Sequence, residues 1–142
     1  TGPEDDGFRQ HRIHSLKNAY FTGQKKVDEL PAYITAYDVC INPQMVNDIT
    51  DGNYPLKIDE YLAMGKPTVA TSTHTMRHIF ADHTHLATNP EEWLSAIDRA
   101  VTEADDKELA KQRIAFAETH SWGHSVKKIY GIIDNFLKEK AT

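Results

Sequence analysis

The chain has 142 residues, of which 39% are apolar, 26% charged and 9% aromatic, a composition that suits one globular domain and excludes intrinsic disorder and fibrous classes. Its one cysteine, Cys40, excludes a disulfide scaffold and agrees with a reducing compartment. Lys and Arg total 16 against 21 Asp and Glu, and the net charge of −5 opposes general attraction to a phosphate backbone, so nucleic acid is not an expected partner.

Residues 1–10 have neither the basic start nor the apolar stretch of a signal peptide, and no apolar run approaches the ~20 residues of a membrane span. A cytoplasmic location is expected. The opening run Thr1-Gly2-Pro3-Glu4-Asp5-Asp6 is turn-like and has no initiator Met, which suggests a fragment cut after a strand. Residues 1–142 are expected to form a single domain.

Helical spacing begins near Phe8 and continues through Ile13 and Leu16. Ala19-Tyr20-Phe21-Thr22 is short, aromatic and closed by Gly23, as a strand ending in a loop would be. A helix follows, with Asp28 able to cap it and Leu30, Tyr33, Ile34 and Tyr37 at helical spacing. Val39-Cys40-Ile41-Asn42 predicts a buried strand. Residues 43–54 form a polar, glycine-containing loop whose length points to a functional role.

Pro55 suits a first helical turn, and Leu56, Ile58, Leu62 and Ala63 predict the apolar face of a helix ending at Gly65. Lys57, Glu60 and Met64 face another way. Pro67-Thr68-Val69-Ala70-Thr71 is β-branched and predicts a third buried strand, and His85-Leu86-Ala87-Thr88 a fourth. Asn89-Pro90-Glu91-Glu92 joins an N-cap, a proline at the first helical position and a Glu three residues on, ahead of a face formed by Trp93, Ile97, Ala100 and Val101. Leu109, Ile114 and Phe116 predict a further helix. In the last one, Trp122, Val126, Ile129, Ile133 and Phe136 form a stripe at three- and four-residue steps. Trp93 and Trp122 each begin an apolar stripe and are expected in the core.

Strands alternating with helices imply parallel pairing and right-handed crossovers, hence a doubly wound, Rossmann-like α/β fold with additional C-terminal helices. Ligands of such sheets bind beyond the carboxyl ends of the strands, here residues 23–26, 43–54 and 72–75. The helix near Pro55 offers free N–H groups and a partial positive charge at its start, with Lys57 in the first turn, so a phosphate fits there. Glu60, one turn on, can accept two hydrogen bonds from a vicinal diol such as a ribose.

Other chemistry is less well supported. His74 with His78 and His120 with His124 have metal-compatible spacing, but neither pair has the Glu of the zinc-protease motif, and no metal site is expected. The sequence holds no Gly-x-Ser-x-Gly elbow, no Gly-x-Gly-x-x-Gly and no Walker pattern.

The segment Tyr54-Pro55-Leu56-Lys57-Ile58-Asp59-Glu60-Tyr61-Leu62-Ala63-Met64-Gly65-Lys66-Pro67-Thr68-Val69-Ala70-Thr71 closely resembles the donor-site signature of the retaining glycosyltransferases of family 4, which have the two-domain GT-B fold. Asn18-Ala19-Tyr20-Phe21-Thr22-Gly23, Glu29-Leu30-Pro31-Ala32-Tyr33-Ile34, Tyr37-Asp38-Val39-Cys40-Ile41-Asn42-Pro43 and His120-Ser121-Trp122 resemble that family's C-terminal domain in the same order.

The resemblance implies that the chain is the incomplete C-terminal, donor-binding half of such an enzyme. It also implies that Glu60 holds the ribose hydroxyls, that the backbone around Asn53, Tyr54, Leu56 and Lys57 meets the diphosphate, and that Gly23, Gln24 and Lys25 flank the base. A further family carboxylate, eight residues before Glu60, falls on Gly52 with Asp51 adjacent. The basic strand and helix that grip the diphosphate, and the acceptor domain, have no counterpart here, so the fragment alone is expected to be inactive.

For the parent, the resemblance implies transfer of a hexose from a nucleotide-sugar to a glycan or lipid-linked acceptor bound by the missing N-terminal domain. No metal or other cofactor is called for, the nucleotide-sugar being a substrate, and a peripheral position at the inner membrane face is an open option. The competing readings are a non-catalytic nucleotide-binding or assembly module of the same fold, favoured by Gly52, and a sugar-nucleotide epimerase.

Overall fold

The computed structural model describes residues 2 and 4–140; of the turn-like opening run, Thr1 and Pro3 lie outside the described residues. The chain divides into two compact units, the first reaching Tyr33 and the second starting at Ile34.

The first unit has no buried residue among those described. The single helix expected from Phe8, Ile13 and Leu16 is instead two short pieces, α1 (Asp6–Arg9) and a 3-10 turn, Arg12–Ser15. Asp5 caps α1 by accepting the Phe8 N–H at 2.7 Å. The unit is held by rings: His14 stacks on Phe21 at 3.9 Å, and Phe8 meets Phe21 edge-on at 5.9 Å. Residues 19–22 are not a strand: a strand exists only in a ladder, and the ladders among the described residues join Cys40–Asn42, Thr68–Thr71 and His85–Ala87 alone; Tyr20 is left 85% exposed. Asp28 caps nothing. It lies inside a 3-10 turn, Val27–Glu29, whose N-cap is Lys26, and the Lys26 N–H donates to Glu29 at 2.9 Å. The turn runs into α2 (Leu30–Thr35).

The second unit is built on three parallel strands in the order β1 (Cys40–Asn42), β2 (Thr68–Thr71), β3 (His85–Ala87). Cys40 pairs with Thr68, and Val69 with His85. All four residues of β2 are buried, as befits a central parallel strand covered on both faces. Side chains alternate along a strand, and this alternation divides the core. Ala70 joins Ile58, Leu62, Met76, Phe80 and Ala117 on one side, while Val69 joins Ala96 and Ala100 on the other. Each large side chain buried here contributes ~1.5–3 kcal/mol. The expected α/β fold with helices on both faces is therefore present.

The first face is covered by α3 (Leu56–Ala63) and α5 (Lys107–Glu118), the second by α4 (Pro90–Thr102). In α3, Ile58 and Leu62 are fully buried, but Leu56 is 67% exposed and Ala63 is also exposed, so its apolar face is narrower than expected. Its end follows the sequence. Gly65 takes φ +71, its N–H bonds the Leu62 carbonyl at 2.8 Å, and the Lys66 N–H bonds the Tyr61 carbonyl at 3.0 Å. This left-handed closure also brings α5 close: a Cβ on Gly65 would lie 3.1 Å from that of Ala110.

Asn89 caps α4 by accepting the Glu92 N–H at 2.9 Å, an interaction contributing ~1 kcal/mol. Glu92 reaches back one residue further than a capping box requires, accepting the Thr88 N–H and hydroxyl at 2.7 and 2.6 Å. These bonds hold its carboxyl below the usual range. Trp93 and Ile97 pack on the second core cluster as expected, but Val101 is 55% exposed. Between β2 and β3 a π-helical turn, Met76–Phe80, buries Met76 and Phe80, an element too short for helical periodicity to announce. Arg113 of α5 is buried; it bonds the Glu103 carboxylate, which also meets His85 Nε2 at 3.0 Å, and donates to the Gly65 carbonyl at 3.4 Å.

Helix α6 (Trp122–Lys140) has no buried residue. The expectation that Trp122 sits in the core is wrong: it is 86% exposed, and Val126, Ile129, Ile133 and Phe136 are each about half exposed. Their periodicity describes an apolar face none of whose residues joins either buried core cluster. No helix among those residues is long and apolar enough to cross a membrane.

Candidate functional site

In a parallel sheet, a helix that precedes a strand runs back antiparallel to it and opens at the carboxyl edge of the sheet. Helix α3 precedes β2, so its first turn opens where residues 43–54 leave β1 and residues 72–75 leave β2. Pro55 is the N-cap rather than the first helical residue, and has no side-chain acceptor to offer the helix. The Ile58 N–H folds back to the Pro55 carbonyl at 2.9 Å. The N–H groups of Leu56 and Lys57 have no partner among the described residues. They leave an anion-receptive helix start, with the Lys57 side chain exposed beside it.

Glu60 lies one turn on. It is exposed like Lys57, while Ile58 and Leu62 point to the core. Its charge, after burial and the nearby Cys40, helps raise the Tyr61 hydroxyl to about 12. Asn53 is exposed at the end of the loop. Asn53, Leu56, Lys57 and Glu60 are thus available to solvent, and Tyr54 is engaged.

The Tyr54 hydroxyl donates to Asp59 Oδ2 at 2.6 Å, and His120 Nδ1 stands 2.9 Å from Asp59 Oδ1. A carboxylate only accepts, so Nδ1 carries the proton in this bond. Burial, then the bond to Asp59 and its charge, raise the Tyr54 hydroxyl above the ordinary tyrosine range. The rings of Phe80 and Phe116 meet His120 edge-on at 5.8 and 4.6 Å. This network ties the start of α3 to the junction of α5 and α6. Beside it lies an open cleft of about 560 Å3 lined by Tyr54, Leu56, Asp59, His120, Trp122 and Lys128 among others. The sequence marks His120 only in a metal-compatible pair and in the family resemblance, and does not join it to Asp59, since residues 61 apart give no periodic signal.

Asp51 has a partner of its own. Its Oδ1 accepts the His74 N–H at 2.7 Å and its carbonyl accepts the Thr75 N–H at 3.3 Å, which ties the long loop to the chain leaving β2. The loop is ordered further by Asn47, whose side chain accepts the N–H groups of Ile49 and Thr50 at 3.0 Å each. Gln44 donates from its backbone to Thr71 Oγ1 at 2.8 Å.

The remaining expected site residues lie in the first unit. Gly23 takes φ +67 and accepts the Gly2 N–H at 3.0 Å. Gln24 is exposed, and the Lys25 ammonium sits 5.1 Å above the Tyr33 ring. Among the described residues, no three His, Cys, Asp or Glu side chains gather as a metal ligand set.

A parallel sheet covered on both faces, with an open helix start at its carboxyl edge, defines a Rossmann-like α/β unit. The sequence matches the family model described as Glycosyl transferases group 1 over residues 1–103, and the chain belongs to that family. It is 27% identical over 117 residues to a Bacillus subtilis (strain 168) protein named "Putative teichuronic acid biosynthesis glycosyltransferase TuaH". The match covers 80% of this chain and 30% of that protein, so the chain spans about 30% of the length of the curated relative it matches. No solved structure matches the chain. The family match and the relative together support the expected C-terminal domain of a GT-B glycosyltransferase.

Proposed function

We propose that this chain is the donor-binding part of a retaining, family 4 glycosyltransferase that moves a hexose from a nucleotide-sugar to a glycan or lipid-linked acceptor in polysaccharide biosynthesis. The observation that carries the reading is the opening of α3, where the unpartnered N–H groups of Leu56 and Lys57 stand at the carboxyl edge of the sheet. The diphosphate lies against those groups, with Asn53 and Tyr54 leading in. Charge that develops on the leaving diphosphate meets fixed dipoles and the Lys57 ammonium. The Glu60 carboxylate holds the ribose diol. The reading assigns no metal or cofactor to the step and places the acceptor outside this chain, which alone is inactive. It places the parent in the cytoplasm, peripheral at the inner membrane face. The printed name of the Bacillus subtilis relative, which speaks of teichuronic acid biosynthesis, supports a polysaccharide pathway.

One observation favours a second reading, a nucleotide-binding module without turnover. Gly52 carries no carboxylate, and one oxygen of the adjacent Asp51 carboxylate, Oδ1, accepts the His74 N–H. An amide-shift titration with UDP, GDP, ADP and CMP at millimolar concentration tests the donor site that both readings share. Saturable shifts at residues 53–60 for one nucleotide are expected, and the same spectra read the base-flanking role of Gly23, Gln24 and Lys25 at their own amides. No shift from any of the four in a folded sample would overturn the donor assignment. Adding an acceptor domain and finding binding without transfer would select the second reading.

A further inference from the structure

The cleft beside α3 shares Tyr54 and Leu56 with the donor reading and is otherwise unassigned. Trp122 on its rim is 86% exposed and has no ring partner among the described residues, so one indole face is open. The apolar C–H face of a pyranose stacks on such a surface. Asp59 is the acidic side chain in the lining, and both of its oxygens are occupied, by Tyr54 and by His120. Lys128 and His124 also line the cleft, and neither has an ion-pair partner among the described residues. In a chain of net charge −5, the cleft therefore joins an aromatic platform to the unpaired ammonium of Lys128, with the His124 ring beside it as a hydrogen-bonding group.

We propose that this cleft binds an anionic sugar unit, a uronic acid of the acceptor glycan adjoining the reacting unit that is held outside this chain, with its ring on Trp122 and its carboxylate toward Lys128 and His124. The assignment rests on the donor reading in one respect: an acceptor must come to the same helix start as the donor.

The test follows the Trp122 indole N–H by NMR, with the half-buried Trp93 as internal control. The probes are tetragalacturonate, its fully methyl-esterified form and inorganic phosphate. Tetragalacturonate is expected to give a saturable shift at Trp122 and at the amides of Ser125 and Lys128, with the ester at least tenfold weaker. Lys128→Gln should lower affinity for the acid about fivefold or more and leave the ester unchanged. Trp122→Ala should abolish the Ser125 and Lys128 shifts; both side chains are exposed, so the fold tolerates either change. No shift with tetragalacturonate, equal binding of acid and ester, or the same shift from phosphate at equal concentration would each overturn the proposal. UDP, GDP, ADP and CMP, each added to the same sample, keep the two assignments separate. Cleft shifts without shifts at Leu56 and Lys57 from any of the four nucleotides would overturn the donor reading and leave the cleft, and the converse would overturn the cleft.

Discussion

Asp51 stands next to the position where the family carboxylate would fall, and its replacement separates a structural role from a substrate contact. Its Oδ1 accepts the His74 N–H at 2.7 Å, a charge-assisted bond at the start of the chain segment that leads into the π-helical turn. The bond from the Thr75 N–H to the Asp51 carbonyl, at 3.3 Å, is a main-chain contact and survives substitution. Asp51→Ala thus removes one capping-type interaction, a loss of ~1–2 kcal/mol. With a urea slope of about 2 kcal/mol/M, the unfolding midpoint falls by about 0.5–1 M. The midpoint is read at the amides of β2, which report the sheet itself. Asp51→Asn keeps an acceptor and should lose less than half as much, with affinity for the nucleotide-sugar unchanged. If Asp51→Ala were as stable as the parent while Asp51→Asn bound donor tenfold more weakly, the carboxylate would face the sugar and the structural account would be wrong.

Three further outcomes follow from the packing. Gly65→Ala places a side chain at φ +71, with its Cβ 3.1 Å from that of Ala110; the left-handed strain alone costs ~1–2 kcal/mol, and a thermal midpoint within a degree of the parent would refute this. Arg113→Met leaves Glu103 half-buried with only His85 for company, and removing one partner of such a pair costs ~3–5 kcal/mol; urea unfolding reads it, and a loss below about 1 kcal/mol would show that the pair holds little. Burial raises the Cys40 thiol from 9.0 to about 11, against the lowering effect of Lys66. Because the folded state then keeps a proton that the unfolded state releases, stability falls as pH rises from about 9 to about 11. Cys40→Ala should flatten that part of the profile in urea titrations, and an unchanged slope would contradict the assignment.

The parts of the fold legible in the sequence are those set by neighbours along the chain. Asn89, Pro90 and Glu92 announce α4 because capping is local, and Gly65 ends α3 because a left-handed closure needs a residue without a Cβ. The buried run at Val69 and Ala70 marks β2 because both faces are covered. What was not legible depends on partners distant in sequence. Residues 19–22 have strand composition but join no ladder among the described residues, and no composition supplies one. Trp122 begins a periodic stripe, and periodicity tells which side chains share a face without telling what that face meets. The same limit applied to the site. The open start of α3 and the exposure of Lys57 and Glu60 follow from helix phase around Ile58 and Leu62. The bridge from Asp51 to His74 and the network of Tyr54, Asp59 and His120 join residues 23 and 61 apart, and no spacing rule reaches them.

The central claim is that the first two turns of α3 hold a nucleotide diphosphate and its ribose. Calorimetric titration of the parent chain and of Glu60→Ala, with whichever nucleotide gives saturable shifts, tests it most directly. Glu60 is exposed and makes no core contact, so the variant should unfold at the parent's midpoint. The account predicts a loss of ~1–3 kcal/mol in binding, about 5- to 150-fold in Kd, from the missing charged hydrogen bonds. The same Kd in a folded variant would contradict it.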